Sequence, residues 1–131
     1  MKKFLLILLV FLLGTAYAEE NLQPINKSIS TAPQNVSIEN CIKFFEVDKE
    51  KLFYLTLSSI NANKYNTDEI QTTNGYIIFT ANRRKFLATI AGVDSTNSVL
   101  KITPCNNVYN FTPYILENIF RYIDANLKGM S

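Results

Sequence analysis

Residues 74–91 read Asn74-Gly75-Tyr76-Ile77-Ile78-Phe79-Thr80-Ala81-Asn82-Arg83-Arg84-Lys85-Phe86-Leu87-Ala88-Thr89-Ile90-Ala91, two apolar runs joined by a short polar turn. Two runs rich in β-branched and aromatic residues, Tyr76 to Ala81 and Phe86 to Ala91, flank a polar turn at Asn82-Arg83-Arg84. So short a connection can join only antiparallel neighbours, because parallel strands need a crossover of about a dozen residues or more. Asn74-Gly75 is itself a hairpin signal, since both residues tolerate the positive φ of a type I′ turn. It implies a preceding strand, Glu69 to Thr73, in which Ile70, Thr72 and Thr73 favour extended backbone. Downstream, Gly92 to Asn97 reads as a loop and Val99 to Thr103 as a fourth strand. The spacings predict an antiparallel meander.

Helices bracket the meander. Asp48 suits an N-cap, because its carboxylate can accept a bond from a first-turn amide. From Lys49 to Ala62, Leu52, Phe53, Leu57 and Ile60, with Thr56, form an apolar stripe at helical spacing. Before it, Cys41 to Val47 reads as a short strand. After the meander, Thr112 is an N-cap candidate and Pro113 fits the first helical position. Ile115, Leu116, Ile119, Phe120, Ile123 and Leu127 then recur at helical spacing, and Lys128-Gly129 marks a stop. The predicted fold is α+β in the order β-α-β-β-β-β-α. It has two layers: a four- to five-stranded, mainly antiparallel sheet with both helices packed on one face.

The predicted domain spans residues 38–131. Residues 19–37 are polar, contain Pro24 and Pro33, and show no apolar periodicity, so they read as a disordered arm or linker. Residues 1–18 read as a signal peptide: Lys2-Lys3, an apolar run from Phe4 to Leu13, and a small-x-small ending at Ala16-Tyr17-Ala18. That run is too short to span a bilayer as a helix, which takes about 20 residues. An exported protein, periplasmic or secreted after cleavage near Ala18, is expected, with no transmembrane segment in the mature chain. Cleavage also changes the charge. Of 13 Lys and Arg, Lys2 and Lys3 leave with the segment, and the remaining 11 match the 11 Asp and Glu. A neutral chain gives no reason to expect a nucleic-acid partner. Arg83-Arg84-Lys85 is the one basic run, read as a solvated hairpin turn, with a phosphate or anionic lipid as the alternative.

Catalytic chemistry finds little support. The chain has no His, which removes Ser-His-Asp and Cys-His arrangements and the usual zinc sites. There is no P-loop, GxGxxG or CxxC motif. The carboxylates at Asp68-Glu69, Glu117 and Asp124 read as surface charge. No catalytic residue, metal or cofactor is expected. Two side-chain groups stand out instead. Export permits a disulfide between Cys41 and Cys105, which flank the first and last strands. Closing that loop would stabilise by about 4 kcal/mol in the chain-entropy model. The second group is the sheet's outer face. Each strand is apolar on both alternating faces, so Tyr76, Ile78, Leu87, Thr89 and Val99 are candidates for an exposed apolar interaction face.

The short strand and Asp-capped helix of Lys43-Phe44-Phe45-Glu46-Val47-Asp48, the Gly-led apolar strand Thr73-Asn74-Gly75-Tyr76-Ile77-Ile78-Phe79, and Val99-Leu100-Lys101-Ile102-Thr103 resemble the small BamC-like domains of bacterial envelope proteins. The resemblance covers about Cys41 to Leu127 and implies a non-catalytic domain used in envelope assembly or maintenance. The chain departs from the best-known member in lacking a lipidation Cys and a second domain copy. The leading expectation is an exported, periplasmic interaction domain whose partner is an envelope protein or a second copy in a homodimer. The alternative is a carrier of a small apolar ligand or lipid in a groove between sheet and helices.

Overall fold

Alternating apolar residues build the centre of the molecule, and helix spacing covers one side of it. The computed structural model describes residues 32–130. Its elements are β1 (Gln34–Asn35), a 3-10 turn (Ile38–Cys41), β2 (Ile42–Phe45), α1 (Lys49–Ala62), β3 (Asn66–Gln71), β4 (Tyr76–Ala81), β5 (Arg84–Gly92), β6 (Ser98–Pro104), β7 (Asn110–Phe111) and α2 (Tyr114–Met130). Five strands form an antiparallel sheet in the order β2-β6-β5-β4-β3. The first strand of this sheet is zipped onto the last strand of the meander, and α1 carries the chain from that edge to the opposite one. The expected two-layer α+β architecture is the one observed. The expected signal segment at 1–18, and the expected arm up to Thr31, lie outside the described residues.

One face of the sheet supplies Ile77, Phe79, Phe86, Ala88, Ile90, Leu100 and Ile102 to the core, all buried. Leu52, Phe53 and Ile60 of α1 and Ile115, Ile119 and Ile123 of α2 complete it. Within it, Tyr65, Phe79, Phe86 and Phe111 form a chain of ring contacts with centroid distances of 6.0, 5.5 and 5.1 Å. Each such pair adds about 0.5–1.5 kcal/mol beyond its buried area. Buried hydroxyls are satisfied: Ser98 donates to the Val47 carbonyl at 2.6 Å, Thr56 to Leu52 at 2.7 Å, and Ser59 to Ile119 at 3.3 Å, tying α1 to α2. Asp48 caps α1 as expected, accepting from the Lys51 amide at 3.2 Å.

The structure departs from the sequence reading at several boundaries. The first strand is shorter than Cys41–Val47, because Cys41 is taken into the 3-10 turn. β3 lies earlier than Glu69–Thr73, and Thr72–Gly75 form a four-residue turn rather than a type I′ pair. Only Gly75 there has positive φ, +72°; its amide donates to the Gln71 carbonyl and its own carbonyl accepts from the Ile90 amide, both at 2.8 Å. Gly75 is thus drawn into the ladder of β5, which sets the longer turn. The tight turn falls instead at Asn82-Arg83, with φ of 51° and 66°, the sign pattern of type I′. α2 runs through Gly129 to Met130; a helical Gly costs about 1 kcal/mol and need not stop a helix.

The domain also begins earlier than residue 38. Gln34 pairs with Phe111 and Asn35 with Asn110, and the buried Val36 donates its amide to the Tyr109 carbonyl at 2.9 Å. This pairing rests on backbone bonds and one apolar side chain, so it leaves no periodicity in the sequence.

The two turns make opposite predictions. A Cβ at Gly75 would sit 2.7 Å from the Ile90 carbonyl oxygen, so Gly75→Ala should lose about 1–3 kcal/mol. Arg83→Gly relieves an L-residue in the left-handed region and should raise stability by up to about 1 kcal/mol after the entropy of glycine is counted. Denaturant titration of both variants checks the signs.

Candidate interaction face

Side chains of a strand alternate between faces, and the register fixes which residues share the face turned away from the helices. Tyr76 lies across from Thr89 and Ile78 from Leu87. Thr89 in turn faces Lys101, Leu87 faces Thr103, and Ala91 faces Val99. All five residues expected on this face are therefore brought together on it, and each is half-buried against its neighbours. β2 adds two that the sequence reading missed. Ile42 pairs with Lys101 and Phe44 with Val99, and Phe44 is 67% exposed. The alternation in Ile42-Lys43-Phe44-Phe45 was readable, but the strand beside which it would lie was not. On the opposite side of β2, Lys43 forms an ion pair with Asp124 at 2.6 Å and lies over the Phe45 and Phe120 rings.

Toward β3 the face turns polar. A bulge between Thr67 and Glu69 interrupts the pairing. Asp68 accepts from the Thr80 hydroxyl at 2.6 Å, Asn66 at 2.7 Å and Lys85 at 3.2 Å. Glu69 accepts from the Tyr76 hydroxyl at 2.6 Å and from Gln71 at 3.4 Å. The Thr80 bond, then Lys85, holds the Asp68 carboxyl below its ordinary value. Its small contribution to stability is present above that ordinary value and lost as pH falls through the lowered one. Donation to the Glu69 carboxylate pushes the Tyr76 phenol up.

The basic run is largely engaged within the fold. Arg84 donates to the carbonyls of Asn110 and Val108 at 2.7 and 2.9 Å and to Asn106 at 3.3 Å, pinning the loop after β6. Lys85 is paired with Asp68. Arg83 stands exposed in the turn. At another edge of the molecule, an open cleft of about 360 Å³ lies between the first turns of α1 and the 72–75 turn, lined by Lys49, Phe53, Tyr54, Thr72 and Gly92 among others.

The expected Cys41–Cys105 disulfide is corrected by the structure: both cysteines are free. Cys41 is buried on the helix side, where its thiol contacts the Ser37 carbonyl at 3.6 Å, whereas Cys105 is exposed next to Lys85 and Asp68 of the open face. Continuing the Ile42–Lys101 register sets Cys41 beside Ile102, about 10 Å along the strand from Cys105. A disulfide needs Cα atoms within about 7 Å. Burial pushes the Cys41 thiol above its ordinary pKa. A thiol reagent should label Cys105 in the native protein and Cys41 only on unfolding, giving two free thiols per denatured, unreduced chain; a count of zero would restore the bridge.

No helix among the described residues is long and apolar enough to cross a membrane. No protein-family model matches the chain, and no curated protein matches it.

Proposed function

We propose that this chain is an exported, non-catalytic domain of the bacterial envelope that acts by binding another protein through the open face of its sheet. The observation that carries the reading is the set of half-exposed Tyr76, Ile78, Leu87 and Val99, extended by the exposed Phe44, on a sheet face that neither helix covers. A contiguous apolar patch left open on a folded domain is the kind of surface that partners cover. The export half of the proposal rests on the N-terminal Lys2-Lys3, apolar run and small-x-small ending, and its assignment to the envelope on the BamC-like pattern of residue classes. The absence of His and of any nucleophile–base motif in the sequence supports a non-catalytic role. The carrier alternative is less well supported: the centre of the space between sheet and helices is filled by Leu52, Ile60, Phe79, Phe86, Ile115 and Ile119, each at most 1% exposed, and the cleft beside α1 is open and lined by Lys49, Glu50, Thr72 and Asn74 as well as Phe53 and Tyr54.

A photo-crosslinking amino acid placed at Leu87 tests the proposal in living cells, with Ser58, exposed on α1, as the control position. A discrete protein adduct from Leu87 and none from Ser58 is the expected result. Equal adducts at both positions, or none at either, would overturn it.

A further inference from the structure

Among the described residues, Lys101 and Glu69 stand on opposite sides of the open face's centre, each without an ionic partner. Lys101 of β6 is exposed and forms no ion pair among the described residues. Glu69 of β3 accepts from Tyr76 and Gln71 but meets no cation there. Between them runs an apolar band from Phe44 and Val99 through Leu87 to Ile78.

We infer that the occupant of this face is a second copy of this chain, packed face to face about a two-fold axis running along β5. The inference rests on the reading of the face as a protein-binding surface. β5 is the central strand of the five. A two-fold along it stacks β6 of one copy over β4 of the other, and β2 over β3. Because Lys101, Thr89 and Tyr76 share one row across the sheet, the rotation sets Lys101 over Tyr76 of the second copy, whose hydroxyl already holds Glu69. Glu69 is then about one strand spacing and one row away, within the reach of a lysine side chain, and symmetry forms the pair twice. Leu87 meets its own copy near the axis, Ile42 comes to lie over Gln71 at the β3 edge, and Phe44 over the 72–75 turn. A two-fold perpendicular to the strands would stack β6 on β6 and leave both charges unpaired. Lys85, also on β5, is neutralised by Asp68 within its own chain.

The size is adequate. Five strands about 4.8 Å apart and some six residues long give a footprint of about 500 Å² per copy. The total of about 1,000 Å² is the lower bound for a specific interface. Aligned sheets pack about 10 Å apart, a gap that Leu87, Ile78 and Val99 can fill.

Sedimentation equilibrium on the chain purified after expression with its own N-terminal segment tests the inference. A dimer is expected. Lys101→Glu and Glu69→Lys should each weaken it about tenfold or more, and the double swap should return it to within about threefold of the parent. Circular dichroism confirms that each variant is folded. A monomer at every concentration up to about 100 µM overturns the inference, since a micromolar interface would be filled there. A dimer indifferent to both charge swaps overturns it as well. If the chain is monomeric while the Leu87 crosslinker captures another envelope protein, the second copy is excluded and the interaction reading stands. If it is monomeric and Leu87 captures nothing, both fall.

Discussion

The pairing of Ile42–Phe45 with Ser98–Lys101 closes the sheet and sets where α1 must run. It joins segments more than fifty residues apart, so its loop-closure entropy must be offset by what it brings together. It forces α1 to span the sheet from the β2 edge to the β3 edge, and it thereby lays the apolar stripe of that helix across the core. It also sets the parity of β2. Phe45 turns inward beneath α2, Lys43 reaches Asp124, and Phe44 is left on the open face. A register one residue different would exchange these roles, because a slip of one flips every side chain.

The same parity separates two chemistries. The helix side holds the ring contacts from Tyr65 to Phe111 and a core closed by Ile and Leu. The open side carries apolar residues shielded only by their cross-strand neighbours, bordered by the hydrogen-bonded carboxylates of β3. The two edges of the sheet also differ. β3 has a bulge and two acidic residues, features that discourage strand addition. The exposed ring of Phe44 lies at the other edge, continuous with the apolar band. The apolar band of the open face thus runs out to the β2 edge and stops short of β3.

Much of the candidate face was legible in the sequence, and the reason is local. Tyr76, Ile78, Leu87, Thr89 and Val99 lie in strands whose alternation is uninterrupted, so period two alone puts them on common faces. Phe44 and Ile42 were not legible as members, because their place depends on a partner strand far along the chain. The disulfide expectation failed for the same reason. Cys41 and Cys105 flank strands that do pair, yet register and facing direction put one thiol in the core and the other at the surface. The turn at Asn74-Gly75 failed differently. The glycine was identified, but the bond from Ile90 that lengthens the turn comes from a third strand.

The types and order of the five main strands and two helices, and with them the α+β class, were readable in the amino-acid sequence, because those follow from hydrophobic period, capping by Asp48 and the few residues available at each strand connection. Both helix stripes and the meander are interactions among residues near in sequence. The meander order was also readable, but the placement of β2 against β6, the docking of Gln34–Val36 onto Tyr109–Phe111 and the separation of the cysteines came from the folded molecule. Those depend on backbone hydrogen bonds between distant segments, and backbone groups are nearly identical at every residue, so no side-chain pattern records which of them will meet.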